Sequence, residues 1–217
     1  MGLPRLEDLP REVPVFPLPG ALLLPQGKLP LNIFERRYRA MVDDALASGR
    51  VIGMIQPDET RAATPSGPGL YRVGCLGRLS SFSETEDGRY LITLTGLIRF
   101  GVSVELEVKR GYRRAQVDLD RFRADLDATP DSVSTGRDTL LDALRAYFRA
   151  RGIDANWEAI KEMTDPALVT TLAMVCPFEP PEKQALLEAP GAADRASTLL
   201  TLLRMGAHGT EPGTRAS

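Results

Sequence analysis

The chain has 217 residues and a formal net charge of −2 at pH 7, from 27 Lys+Arg and 29 Asp+Glu. This balance excludes an overall positive field, so nucleic acid or anionic lipid would require a local basic patch. The 43% hydrophobic and 26% charged residues are typical of a globular protein, and the length is too short for an ATPase module joined to a separate hydrolase.

The opening third alternates proline-rich turns with short apolar runs. These runs predict three strands, at residues 13–18, 21–24 and 29–33. Apolar residues then recur with a helical period, which predicts a helix from Glu35 to about Ser48 that stops at Gly49. A further strand is predicted at 50–56, followed by a loop over 57–69.

The next segment has the alternation of an antiparallel sheet. The Asp-Gly pair at Asp87–Gly88 predicts a tight turn between strands over 71–84 and 89–95. Further strands are predicted at 99–108 and 113–119. Seven or eight short strands with one early helix favour a closed or nearly closed barrel, because closure removes exposed strand edges.

From residue 125 onward the pattern becomes helical. A stripe from Leu140 to Phe148 predicts a helix ending at Gly152, and Asn156 and Asp165 are predicted N-caps of helices over 157–163 and 166–176. Two more helices are predicted, one beginning at the prolines of 180–181 and a last one containing Leu199. The predicted divisions are an N-terminal extension (1–12), a β-barrel subdomain (13–124), a linker (125–136), a helical subdomain (137–206) and a disordered tail (207–217).

Few residues are suited to metal or nucleophile chemistry. Cys75 and Cys176 lack paired spacing, so we expect buried free thiols, and the only histidine, His208, lies in a polar C-terminal segment. We therefore expect no metal or other cofactor. The N-terminal segment lacks the basic start and apolar stretch of an export signal, and no apolar run reaches about 18 residues, so we expect a cytoplasmic protein without a membrane segment.

Several motifs, in order, resemble a known family. The segment PVFPLPGALLLPQGKLPLNIFERRYRAMVDDAL (14–46) is similar to the opening of the Lon protease N-terminal substrate-binding domain. Further similar segments are GCLGRL (74–79), TGLIRFGV (95–102), YRRAQVD (112–118) and FEPPEKQALLEAP (178–190). The resemblance covers about 13–205. It implies an α+β fold, a PUA-like β pseudo-barrel followed by a helical bundle, and a role in recognising polypeptide.

The catalytic motifs of that family's full-length members are missing from this sequence. The only Gly-Lys pair, Gly27-Lys28, lacks the rest of a phosphate-binding loop, so we expect no ATP hydrolysis. A Ser-Lys dyad among the four lysines is not marked by any pattern. We therefore expect a non-catalytic module that binds unfolded polypeptide or a partner protein between barrel and helices. The alternative is a small-ligand-binding protein or an enzyme that uses the barrel mouth.

Six residues are singled out as candidate site residues. Phe34, Met54 and Phe82 fall at predicted strand or helix ends and are candidate polypeptide contacts. The charged residues Glu35, Arg37 and Arg99 are candidate structural ion pairs, with Glu35 and Arg99 predicted to fix the helix against the barrel. Under the alternative function, Glu35 and Arg99 would bind a polar group in the barrel mouth.

Two groups of charged residues are candidates for a nucleic-acid site or a metal site. A basic group comprises Lys109, Arg110, Arg113, Arg114, Arg121 and Arg123. Interleaved acids and the acidic overall balance do not favour nucleic-acid binding. Solvated faces and helix caps account for the acids Asp43, Asp44, Asp118, Asp120, Asp125 and Asp127, since no calcium-loop pattern accompanies them. The sequence gives no indication of the oligomeric state.

Overall fold

The computed structural model describes residues 4–127 and 136–208, and the β-rich part is one mixed sheet. Its strands are β1 (Glu12–Pro17), β2 (Lys28–Ile33), β3 (Val51–Ile55), β4 (Val73–Glu84), β5 (Tyr90–Lys109) and β6 (Tyr112–Asp118). Their order is β2-β5-β4-β3-β1-β6; β1 and β3 are parallel, and the other neighbouring pairs are antiparallel. The predicted strands at 89–95 and 99–108 are one continuous strand, β5.

Strand β5 is long enough to pair along three partners. Its first half pairs with β2 on one side and β4 on the other, and its second half pairs with β6 from Gly101 opposite Asp118. Backbone pairing therefore follows a closed path from β5 through β4, β3, β1 and β6 back to β5. A closed path leaves the central strands without a free edge for pairing with another chain.

The predicted strand at 21–24 is wrong, although its leucines are core residues. Leu22, Leu23 and Leu24 are buried in an irregular loop between β1 and β2. This loop crosses the sheet where Gly77 of β4 lies opposite Gly96 of β5. A Cβ on Gly96 would overlap the backbone oxygen of Leu24, and a Cβ on Gly77 would overlap the Leu23 side chain. The glycine pair therefore makes the space that the leucines occupy.

Six α-helices and two short 3-10 helices complete the described residues. The α-helices are α1 (Arg36–Ala47), α2 (Arg137–Arg151), α3 (Trp157–Glu162), α4 (Asp165–Val175), α5 (Pro180–Glu188) and α6 (Ala192–His208). The 3-10 helices are Leu6–Asp8 and Asp120–Leu126. Asn156 caps α3 as predicted, since its side chain accepts from the Ala159 N–H at 3.1 Å. Asp165 is the first residue of α4 and not its cap.

The helical part is tied to the sheet through Arg99 of β5. Its guanidinium pairs with Asp125 in the 3-10 helix that follows β6, with Nη2 to Oδ1 at 2.8 Å and Nε to Oδ2 at 2.9 Å. Its Nη1 also donates to the carbonyls of Leu187 (3.1 Å) and Ala189 (2.6 Å), at the end of α5. Asp125 is thus a buried partner of the sheet, whereas the sequence assigned it to a linker. The division into subdomains stays a prediction; 128–135 of that linker and 209–217 of the tail lie outside the described residues.

Three more buried polar side chains join sheet and helices. Gln56, just after β3, donates to the Pro180 carbonyl at 3.0 Å, and Gln184 of α5 donates to the Val73 carbonyl at 3.1 Å. Lys183 of α5 donates to the carbonyl of Gly20 in the β1–β2 loop at 2.7 Å. The Val73 carbonyl is buried and the other two are partly buried, so each bond offsets the cost of removing a backbone oxygen from water.

The Arg99 contact predicts a large stability effect. The change Arg99→Met would leave the carboxylate of Asp125 buried without its partner, and removing one member of a buried pair costs about 3–5 kcal/mol. We expect the urea midpoint of unfolding to fall accordingly. Arg123→Met removes an exposed ion pair with Asp120 and should change the free energy of unfolding by less than about 1 kcal/mol. Equal midpoints for the two variants would contradict this account.

Candidate functional site

A groove of about 760 Å³ lies between the sheet and the helical part. One wall is the loop from Pro25 to Lys28, and the opposite wall is α4 from Pro166 to Val175. Three buried charged side chains line it: Arg99, Asp125 and Arg195. The groove therefore combines apolar walls with charged groups that are mostly removed from water, a combination found in ligand-binding sites.

Local sequence explains how the two walls come close. Gly27 has no side chain, and a Cβ there would overlap the sulfur of Met174, so the loop and α4 are in contact at this point. The loop is held to the sheet because Gln26 N–H donates to the Gly96 carbonyl at 2.9 Å and Gly96 N–H donates to the Gly27 carbonyl at 2.8 Å. Val175, the last residue of α4, lies at the groove with 64% of its surface exposed.

The three predicted polypeptide contacts do not line this groove. Phe34 and Phe82 are exposed, by 65% and 40%, whereas Met54 is only 2% exposed and belongs to the core. Met54 is buried because every residue of β3 is buried, so its place near a strand end gives it no surface. The expectation that Met54 contacts polypeptide is corrected on this ground.

Phe34 and Phe82 lie at the opposite end of the same sheet region. The ring of Phe82 contacts Tyr90 edge-on at 5.0 Å, and Tyr90 lies opposite Ile33, the residue before Phe34. The groove begins at Lys28, at the other end of β2, about 17 Å away for five steps of strand. We call this end of the sheet, which carries both exposed phenylalanines, the aromatic edge.

The predicted ion pairs form with different partners. Glu35 and Arg37 pair with each other at 2.8 Å on the surface, beside the first turn of α1. Arg99 is buried and pairs with Asp125 and not with Glu35. The predicted Glu35–Arg99 pair is therefore wrong, and these two residues do not converge on a common pocket. Asp125 was missed because its polar surroundings in the sequence gave no signal of burial.

Most of the basic group is neutralised within the described residues. Ion pairs join Lys109 to Asp44 (3.1 Å), Arg113 to Glu105 (2.6 Å) and Arg123 to Asp120 (3.3 Å). Arg110 also pairs with Asp44, and Arg114 pairs with Glu12. Arg121 lies over the Phe122 ring at 5.2 Å. These contacts occupy the basic side chains that would otherwise bind the phosphate groups of a nucleic acid.

The nucleophile candidates are buried or already bonded. Cys75 and Cys176 are free and buried, as predicted, and burial raises the pKa of the Cys176 thiol to about 12. Lys183 is the one buried lysine in the described part of the chain, and its Nζ donates to the carbonyls of Gly20 (2.7 Å) and Met174 (3.2 Å). No serine hydroxyl bonds to a lysine amine within residues 4–127 and 136–208.

Residues 4–127 and 136–208 contain neither a metal-binding group of side chains nor a membrane-spanning helix. The His, Cys, Asp and Glu side chains there do not form a group of three that could hold a metal ion. None of the helices there has both the length and the apolar character needed to cross a bilayer.

Comparison with known proteins identifies the family of this chain. The family described as the "ATP-dependent protease La (LON) substrate-binding domain" matches residues 12–205. The chain belongs to this Lon substrate-binding domain family. The resemblance read from the motifs at 14–46 and 74–118 is thereby confirmed.

Curated relatives of this Lon domain are much longer proteins. Lon protease 2 of Myxococcus xanthus is 28% identical over 215 residues, and Lon protease of Anaeromyxobacter dehalogenans is 27% identical over 219 residues. The alignments cover 93% and 94% of this chain but 24% of each relative. The chain thus spans about a quarter of their length.

Solved structures show the same fold. A Lon N-terminal domain protein from Xanthomonas campestris matches with a TM-score of 0.59 and 23% identity, over 88% of this chain and 97% of that one. The N-terminal domain of Mycobacterium avium complex Lon protease matches with a TM-score of 0.60 and 17% identity, with the same coverage. At these identities the likeness concerns the fold alone.

The hydrogen bond between Tyr112 and Asp44 predicts a pH effect in this Lon domain. The Tyr112 hydroxyl donates to Asp44 at 2.6 Å and, more than any other contact, lowers the pKa of that carboxyl to about 2. Because the folded pKa lies below the usual value near 3.9, this contribution to stability is present above about pH 4 and is lost as pH falls toward 2.

Tyr112→Phe should therefore raise the pKa of Asp44, and the stability difference from the unmodified protein should disappear at low pH. Carboxyl chemical shifts followed by NMR titration measure the pKa, and urea unfolding at several pH values measures the stability. Tyr71→Phe is the control, because the Tyr71 hydroxyl bonds to no side chain or carbonyl in the described residues. An unchanged Asp44 pKa in Tyr112→Phe would show that Lys109 and Arg110 dominate instead.

Proposed function

We propose that this chain is a non-catalytic module that binds unfolded polypeptide in the groove between sheet and helices. The observation that carries the proposal is the groove itself, with apolar residues of α4 on one side and the β1–β2 loop on the other. The family description names substrate binding, and that name supports the choice of polypeptide over other ligands. The groove has the volume of sites that accept several side chains.

The apolar walls favour extended chains that expose hydrophobic side chains. Val175 and Met174 present side chains on the groove, and folded proteins keep most of their large apolar residues inside. A native client would therefore offer little to this surface. The aromatic edge formed by Phe34 and Phe82 is a second surface for the same ligand, since large exposed aromatic residues often mark interaction sites.

The same proposal includes two finer points. The closed strand pairing is interpreted as a PUA-like pseudo-barrel, as the family resemblance implies. A cytoplasmic location is favoured by the two free cysteines, which suit a reducing compartment.

The alternative function, a small-ligand or enzymatic site using Glu35 and Arg99, is not favoured because those residues lie apart and are bound to other partners.

Titration of the full chain tests the proposal. A labelled protein held unfolded by modification of its cysteines should bind, as seen by anisotropy, with a dissociation constant on the order of micromolar, and its native form should not. Binding should not require ATP, since this sequence has no phosphate-binding loop. It should weaken only slightly with added salt because the contacts are mainly apolar. Equal affinity for the unfolded and native forms would rule the proposal out, and so would a lack of binding to either form.

Variants then locate the binding surface. Val175→Ser should weaken binding about tenfold, the loss expected from one well-buried valine side chain. Met205→Ser is the matched control, because Met205 is also exposed but lies outside the groove. Phe34→Ser tests binding at the aromatic edge with little effect on stability, whereas Phe82→Ser also removes the edge-on contact with Tyr90. Met54→Ser should instead destabilise the fold by about 2–5 kcal/mol.

A further inference from the structure

The charges in the groove are not balanced. Arg99 and Asp125 neutralise each other through two hydrogen bonds, as described above. Arg195, on the first turn of α6, is a second arginine in the same groove and is only 8% exposed. A buried cation is costly unless an anion pairs with it, so the surroundings of Arg195 require explanation.

Arg195 has one hydrogen bond within the described residues. Its Nε donates to the Leu186 carbonyl at 2.9 Å, which fixes the direction of the guanidinium. Its two Nη nitrogens have no acceptor among these residues, and no carboxylate there lies within 4.0 Å of them. Burial, and after it the charge of Arg99, lower the pKa of Arg195 to about 10, so the side chain remains protonated at neutral pH.

The neighbouring charges determine which anion fits. Asp125 raises the pKa of Arg195 but is already engaged by Arg99. Asp194, the residue before Arg195 on α6, accepts from the Gly191 N–H at 3.2 Å. At the exposed rim, Lys28 and Asp127 contribute one charge of each sign. The groove therefore has one uncompensated positive charge, which matches a carboxylate, whereas a phosphate dianion would leave an excess negative charge.

We infer that the groove binds the C-terminal end of a polypeptide, with its α-carboxylate on the Nη nitrogens of Arg195 and its last side chains along α4. This inference rests on the proposed function and names the part of the polypeptide that is read. A guanidinium with two free N–H groups suits a carboxylate, since the two can form parallel hydrogen bonds. The apolar residues Met174 and Val175 provide the surface for the side chains that precede the terminus.

Two versions of one labelled peptide test the inference on the full chain. The peptide ends in apolar residues and carries either a free C-terminal carboxylate or an amide. The free acid should bind at least about tenfold more tightly, because only the acid forms charge-assisted bonds. Arg195→Met should reduce the affinity for the acid to that for the amide. Arg204→Met is the control, an exposed arginine on the same helix and outside the groove.

A measurement on the unmodified protein keeps the inference testable if Arg195→Met does not fold. The side-chain Nε–H signal of Arg195 in the unmodified protein should shift with the acid peptide and not with the amide. Acid and amide binding equally would overturn the C-terminal inference while leaving polypeptide binding intact. No binding of either peptide or of the unfolded protein would remove both proposals. Competition by hexanoate as effective as the peptide would assign the site to small organic acids and overturn the inference as well.

Discussion

The buried guanidinium of Arg99 is the interaction on which the arrangement of this molecule depends. It extends from β5 and reaches both Asp125 and the carbonyls at the end of α5. A guanidinium presents a planar fork of donors, so the directions of its acceptors are restricted. A lysine at this position would supply charge without that geometry. Arg99 therefore links both the 3-10 helix and the end of α5 to the sheet.

The groove is a consequence of how sheet and helices are joined. On one side, Gln56, Gln184 and Lys183 satisfy backbone oxygens across the interface and hold the two parts together. On the other side, the β1–β2 loop and α4 come into contact at Gly27, where there is no side chain between the loop and Met174. The remaining space is open, and its charged lining arises because Arg99 must be buried to reach α5. Arg99 thus both joins the sheet to the helices and lines the groove.

Local patterns in the sequence predicted most of the secondary structure, and contacts between distant residues were missed. The helix at Arg36–Ala47 and the hairpin of β4 and β5 follow from periodicity and the Asp-Gly turn, which are local signals. The leucines at 22–24 are predicted as a strand because an apolar run indicates burial, but burial alone does not show whether the backbone pairs with another strand. The partner of Arg99 and the isolated charge of Arg195 depend on residues distant in sequence, and burial of Met54 depends on how β3 is enclosed.

The closed strand path has a consequence for the kinetics of folding. Pairing of β1 with β6 brings Glu12 opposite Gln116, so the path closes only after most of the β-rich part has been synthesised and ordered. Such non-local pairings slow folding because loop-closure entropy is lost before the contacts form. During translation, the edge of β1 that pairs with β6 must therefore wait unpaired for longer than the edge that pairs with β3. The early prolines in and around β1 suit this delay, since proline withholds an amide donor from aberrant strand pairing.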